Sequence, residues 1–505
     1  MKRILFISLL LVIIISSACS PVIKHKSTTT SVPISTETVA PTTLTPATPL
    51  PSTTTTTITS TTTIPTPTVI TSFITTTPIA TITTTATTTP TTSFNFKNAL
   101  FGNPSSLSAG LQTLDVTTGK VTVNGVDNRG PSIPFTFDWG DGKITNAFFP
   151  ANHAYSDTSK NYIITVTSHY NNQTTDSTEF VAYFIPPVIT PISLPDDVKV
   201  TIPASAVSLI SRMPGYSMSN ALTGFSDSCF EIIPRSTVEY VLTAAASIQK
   251  DFVNNNVYMV NGGFNQVIVN DPNGMYSLWF TSPVAVAASN GAFNGTPQWS
   301  SLFHEMGHNM TLNSPANYYY GGKIDGNANA IFSETMAQIF QHATDYVLIN
   351  DYQTYGLSED LALDIKNSAL SSMQYVTNAY QSYLANGKHF DSWNDPSTPD
   401  DETLDTFMTI AYVFFEHAEN SPLGYSASLK RMMTLLQLFD ANMAAQYDPN
   451  DNTAAAATFR STLMVAAVSY AFEQDLRPEF RNLNFPIDDQ EYDLLNLEAS
   501  SVPGQ

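Results

Sequence analysis

Leu302-Phe303-His304-Glu305-Met306-Gly307-His308-Asn309 is the stretch on which the reading of this chain turns. On a helix, residues four apart project from one face one turn apart, so His304 and His308 can offer two imidazole nitrogens to a single metal ion. Glu305 lies about 100° further round, within reach of a water held by that ion but not of the ion itself. That is where a general base for hydrolysis has to stand. The flanking residues predict a helix: Thr296 as cap, Pro297 at the first helical position, and Trp299, Leu302, Phe303, Met306 and Met310 as the face to be buried.

Two histidines do not hold zinc; three protein ligands and an open position for water do. The best third ligand is Glu334, in Asn327-Ala328-Asn329-Ala330-Ile331-Phe332-Ser333-Glu334-Thr335-Met336-Ala337-Gln338-Ile339-Phe340. Asn caps followed by helix formers at three-and-four spacing predict a second helix packed on the first. Between them, Pro315, Tyr318, Tyr319, Tyr320, Gly321 and Gly322 read as a connection long enough to turn the chain back. The competing reading is a structural histidine pair with no metal.

The lead-in ending in Trp299, the core His304 to Asn309 and the downstream run Glu334 to Phe340 resemble the M60-like (enhancin-type) metallopeptidases of the gluzincin group. The resemblance spans roughly residues 200–440 and is most specific from Trp299 to Asn309 plus Glu334. Many members carry Gln three residues after the second histidine, where this chain has Thr311. What the family implies is a zinc endopeptidase acting on glycoproteins, often mucin-like ones. Gluzincins also place an edge strand beside the cleft, and Val257–Val260 or Gln266–Val269 is the strand expected there to bind extended substrate.

At the N-terminus, Lys2 and Arg3 precede an apolar run from Ile4 to Ile15, then Ser16, Ser17, Ala18 and Cys19, an export signal over 1–19. The small residues before Cys19 resemble the bacterial lipoprotein signal, which would make Cys19 the lipidated first residue, although Ser16 stands where Leu is usual. An uncleaved anchor is the alternative, and the apolar run is short for it. Residues 20–95 are rich in Thr, Ser and Pro and lack the periodicity to bury a core. They read as a disordered stalk, either O-glycosylated or a plain spacer.

Residues 96–185 alternate apolar and polar positions, as in Lys120-Val121-Thr122-Val123 and Tyr162 to Thr167. Phe137-Asp138-Trp139-Gly140-Asp141-Gly142, His153-Ala154-Tyr155 and the Tyr162 strand resemble a PKD domain, which implies an immunoglobulin-like β-sandwich. Asp141 and the glycines would make its tight turn, and His153 a core or turn contact. A Pro-rich connector (186–196) leads to the expected catalytic domain, 197–490, with a tail at 491–505. In that domain Tyr240–Phe252, Leu404–Asn420 and Ser426–Asp440 read as helices. The expected architecture is therefore multidomain: stalk, sandwich, then an α+β zincin-type domain with a helical C-terminal part.

A net charge of −21, from 42 acidic and 21 basic residues, leaves no basic stripe to neutralise phosphates and speaks against a nucleic-acid partner. Only two cysteines occur, Cys19 and Cys229, so no disulfide framework is expected. The expected function is an extracellular, surface-anchored zinc metallopeptidase. Its partners would be protein or glycoprotein substrates and, through a lipid anchor, the membrane. In the expected mechanism Glu305 takes a proton from a water at the fourth zinc position and passes it to the leaving amine. Tyr318, Tyr319, Tyr320, Tyr412, His417 and Tyr425 are oxyanion-donor candidates by residue type. The alternatives are a degenerate surface adhesin or glycan-binding protein, and a zinc hydrolase of another substrate class.

Overall fold

The computed structural model describes residues 106–502 apart from 131–132, 171–173, 211–218, 255–263, 272–274, 278–282, 288–292, 294–297, 312–331, 393–399 and 449–452. The export signal with Cys19 and the stalk at 20–95 lie outside the described residues.

Seven strands come first: β1 (Leu107–Asp115), β2 (Lys120–Asp127), β3 (Phe135–Asp138), β4 (Ile144–Ala147), β5 (Ala151–Ala154), β6 (Tyr162–Tyr170) and β7 (Thr174–Ala182). They form antiparallel sheets ordered β1-β2-β5 and β4-β3-β6-β7. Side chains alternate across a strand, so Val121 and Val123 from one sheet meet Phe135, Phe137, Ile164 and Val166 from the other in a shared core. The turn after β3 does what its sequence expects. Gly140 sits at φ 74, where a Cβ would also stand 2.4 Å from the Ile163 carbonyl. Asp141 accepts from the Lys143 amide at 3.1 Å, and His153 packs over the buried Trp139 ring at 4.7 Å with Nε2 3.0 Å from Asp141.

The rest of the chain is mixed. Strands β8 (Val198–Thr201), β9 (Val207–Ile210) and β10 (Ser219–Leu222) lead to α1 (Arg235–Phe252), followed by β11 (Phe264–Asn270), β12 (Tyr276–Ser277) and β13 (Pro283–Val286). Helices then dominate: α2 (Trp299–Thr311), α3 (Ser333–Asn350), α4 (Glu359–Ala385), α5 (Asp400–Asn420), α6 (Gly424–Leu436), α7 (Ala441–Tyr447), α8 (Ala454–Phe472), α9 (Arg477–Asn482) and α10 (Asp489–Ser500). One sheet runs β12-β13-β11-β8, with β8, β11 and β13 parallel and β12 antiparallel. The Gln266–Val269 strand, β11, is thus flanked on both sides, so its backbone groups are already paired and it cannot accept a substrate strand. Val257–Val260 lies outside the described residues. The strand at the sheet edge next to α2 is β12.

Two boundaries differ from the sequence reading. The expected tail at 491–505 is, over its first ten residues, part of a helix: α10 buries Tyr492, Leu495 and Ala499 in the helical core, an apolar spacing of three and four that a helix presents on one face. Nor does the sandwich end cleanly at 185, because Val181 and Tyr183 belong to the helical core as well. The fully buried Asp364 of α4 lies beside Tyr183, and burial pushes its carboxyl well above the usual range. Asn161 donates to Asp360 at 2.8 Å across the same junction.

Helix α8 is apolar and long enough to cross a membrane by composition, but 83% of its apolar window is buried inside the fold. Its Arg460 is buried too and is satisfied by the carbonyls of Tyr447 and Asp448, each at 2.8 Å, at the end of α7. This is a core helix.

Candidate metal centre

Helix α2 buries the face its sequence assigns: Trp299, Leu302, Phe303, Met306 and Met310 are all fully enclosed. It starts at Trp299, with the Gln298 carbonyl accepting from Leu302 at 3.2 Å, later than a Thr296 cap would put it. Thr296 and Pro297 lie outside the described residues. His304 and His308 leave the helix on one side, their rings 4.9 Å apart and nearly perpendicular.

Helix α3 begins at Ser333 rather than at an Asn cap. The residue before it is Phe332, in a left-handed conformation at φ 52, with no side chain capping the turn. Asn327 and Asn329 lie outside the described residues. This start places Glu334 in the first turn, where the unpaired amides of a helix N-terminus favour a carboxylate. Close approach of the two helices does the rest. A Cβ on Gly307 would meet the Phe340 Cβ at 3.1 Å and the Ala337 backbone at 3.3 Å.

The result brings three predicted ligands together. Nε2 of His304 lies 3.0 Å from one Glu334 oxygen and Nε2 of His308 lies 3.4 Å from the other. One donor atom from each residue falls within 4.8 Å of the others. Two ligands about 2.1 Å from a tetrahedral ion sit about 3.4 Å apart, so the spacing fits zinc. The donor chemistry, two imidazoles and one carboxylate, fits it as well.

The charges are interdependent. For Glu334, burial is the largest influence and opposes ionisation, yet His308 and His304 together hold the carboxyl well below its ordinary value. For His308, burial pulls the imidazole down, but Glu334 and then Glu305 raise it overall. Glu305 is partly buried on the same helix, and desolvation raises its carboxyl above the usual range, with the two histidines opposing and Glu334 adding. A raised carboxylate beside a metal position is the electrostatic condition for a general base.

Polar side chains other than the predicted ligands and base pin this geometry. Asn309 donates to Gln266 of β11 at 3.2 Å and accepts from Ser277 of β12 at 2.8 Å, tying the end of the motif to the sheet. Gln249 of α1 donates to the Phe303 carbonyl at 2.8 Å, and Ser300 donates to the buried Asp345 at 2.9 Å. Burial pushes Asp345 up to about 8. Asn309 directly follows the motif, which was the one available signal; the others are ordinary polar residues, Gln266 and Ser277 on strands and Gln249, Ser300 and Asp345 on helices. His342 of α3 is fully buried, makes no hydrogen bond to a described residue and is pushed down to about 3 by burial and then by His304. It is a neutral core histidine.

Three of the oxyanion-donor candidates make contacts outside the ligand set. Tyr412 stacks on Tyr380 at 3.9 Å, His417 pairs with Glu479 at 2.8 Å, and Tyr425 is buried near Glu419. Tyr318, Tyr319 and Tyr320 lie outside the described residues. A separate cleft of about 340 Å³ is lined by Glu416, His417, Asn420, Ser421, Gln474 and Glu479 and contains none of the three ligands.

No family model matches the chain, and no curated protein matches it. Among solved structures it is similar to a functionally unknown conserved protein from Bacillus anthracis str. Ames, at 13% identity and a TM-score of 0.33, over 81% of this chain and 76% of that one. A mutant of such a protein from the same source gives 12% identity and a TM-score of 0.34, over 80% and 76%.

Proposed function

We propose that this chain is a zinc-dependent endopeptidase of the M60-like gluzincin type, exported and held at the cell surface through Cys19, with a PKD-like sandwich ahead of its zincin-type domain. The observation that carries the proposal is the convergence of His304, His308 and Glu334 from two helices, with Glu305 on the same helix as the histidines. Those three residues would hold the ion, which when bound supplies Lewis acidity and draws the pKa of water at the open position towards neutrality.

The protein groups do the remaining work. Glu305 accepts a proton from the attacking water, whose oxygen bonds to the scissile carbonyl carbon. The carbonyl π pair moves onto oxygen, then returns as the C–N bond breaks, and Glu305 delivers its proton to the departing nitrogen. Burial of Glu305 raises its affinity for that proton and so suits it to both transfers. The stalk and anchor would present this centre to polymers outside the cell, with mucin-like glycoproteins as the substrate class.

The test is zinc stoichiometry and hydrolysis of casein and of mucin, with and without chelator. One zinc per chain and chelator-sensitive release of peptides is the expected result. Zinc without new peptide ends would leave a hydrolase of another class, and no zinc after reconstitution would leave an adhesin.

A further inference from the structure

We propose that Asn309 is a positioning residue: by accepting a hydrogen bond from Ser277 it holds the edge strand β12 against the stripe of α2 that carries Glu305, so that a peptide lying along β12 meets the base at a fixed distance. The proposal rests on the endopeptidase reading above and adds the side chain that couples the substrate strand to the metal-bearing helix.

Strand β12 consists of Tyr276 and Ser277, opposite Ala285 and Val284 of β13, and pairs with no described strand on its other side. So short a strand has few ladder bonds to fix its place. Its side chains supply the rest. Neighbouring strand residues face opposite ways, and both of these are tied down: Tyr276 donates to Asp271, and the Ser277 hydroxyl donates to Oδ1 of Asn309 at 2.8 Å. Asn309 is fully buried, and its amide donates to Gln266 of β11 at 3.2 Å, which gives the accepting oxygen a set direction. Glu305 lies four residues earlier on the same face of α2, as His304 does relative to His308. The Ser277 bond therefore lands on the stripe that carries the base, and Gln266 ties that stripe to the sheet. A peptide hydrogen-bonded to the outer edge of β12 inherits the spacing. Without the bond β12 can shift along α2, while the three ligands, held between α2 and α3, stay where they are.

The full chain carrying Ser277→Ala, Ser277→Thr, Asn309→Ala or both alanines tests this. The readouts are zinc content, kcat and KM on casein, and affinity for two inhibitors: acetohydroxamate, which reaches only the metal, and an extended phosphonamidate peptide, which also lies along the strand. Ser277→Ala should keep its zinc and its acetohydroxamate affinity, and bind the phosphonamidate peptide about 3- to 10-fold more weakly. Its KM should rise by a similar factor with kcat within about twofold, the mark of lost uniform binding. Ser277→Thr keeps the hydroxyl and should match the parent. The double variant should bind the peptide no more weakly than Asn309→Ala alone, since one bond is removed from both ends. If Asn309→Ala does not fold, the two Ser277 variants decide. An active parent whose Ser277→Ala variant binds both inhibitors within about twofold of the parent overturns the proposal alone, and so do additive losses in the double variant. Equal losses of acetohydroxamate and peptide affinity overturn it as well, since the bond would then support the metal site and not the substrate strand. A parent without zinc-dependent cleavage overturns the endopeptidase reading and this proposal with it.

Discussion

Gly307 lies against Phe340 so closely that an added Cβ would stand 3.1 Å from the Phe340 Cβ and 3.3 Å from the Ala337 Cα and carbonyl oxygen. These atoms belong to the α3 backbone or are fixed directly to it, so the contact cannot be relieved by turning a side chain. In an isolated helix Gly→Ala gains about 1 kcal/mol, whereas overpacking a core costs about 1–3 kcal/mol. Gly307→Ala should therefore be neutral to mildly destabilising. Gly307→Val should be clearly destabilised and should bind zinc more weakly, because α3 carries Glu334. Urea midpoints and zinc titration check this; a Gly307→Val protein with parental zinc affinity would show that helix separation does not set the ligand distance.

Much of this centre was legible in the sequence because its chemistry is local: His304, Glu305 and His308 need only a helix to share a region of space. Glu334 was legible as the acidic residue at the start of a second helix and through the family resemblance. The signal for the actual junction, a glycine at the helix contact, reads in sequence as no more than a weak helix former. The start of α3 was not legible, since Phe332 at φ 52 ends the preceding segment without a turn residue. The sandwich turn was readable from Asp138 to Gly142 because glycine at positive φ and Asp accepting backbone amides are local rules.

Glu305→Gln keeps the shape of the side chain and removes the base. It should retain zinc at parental stoichiometry and lose casein cleavage by at least about 10²-fold. Loss of the metal in that variant would make Glu305 a ligand rather than a base.

Glu334→Ala should weaken zinc binding by at least tenfold and cut the thermal stabilisation that zinc gives the parent, from about 2.7 kcal/mol at a hundredfold excess over the parental Kd to about 1.4 kcal/mol or less at the same zinc concentration. Glu416→Ala, at the separate cleft, should change neither. An unaltered zinc affinity in the Glu334 variant would move the third ligand elsewhere.

Asp345 gives a pH test of the scaffold beneath the site. Folded, it holds its proton up to about pH 8; unfolded, it releases it near the ordinary value of 3.8. Between those two values the folded state binds one proton more than the unfolded state. Stability is therefore greatest below the lower value and falls as pH rises, by up to about 1.4 kcal/mol per unit. Asp345→Asn removes this slope, so the variant should gain on the parent between pH 5 and pH 8. Urea midpoints of both proteins at the two pH values decide it, and an identical difference at both would mean Asp345 does not titrate as described.

The last expectation concerns where the helical region begins. A chain starting at residue 196 would contain all three ligands but would lack Val181 and Tyr183, which fill its core, and would expose Asp364 to water. Truncating a buried aromatic side chain costs about 3–5 kcal/mol. Some of that is returned here, because an exposed Asp364 can ionise. The shortened chain should unfold at lower urea than the chain starting at 106, and Tyr183→Ala in the longer chain should reproduce most of the loss. Zinc binding should survive in native buffer, since none of the ligands touches the junction. If the shortened chain has the urea midpoint of the longer one, the sandwich is a passenger and not a part of the helical core.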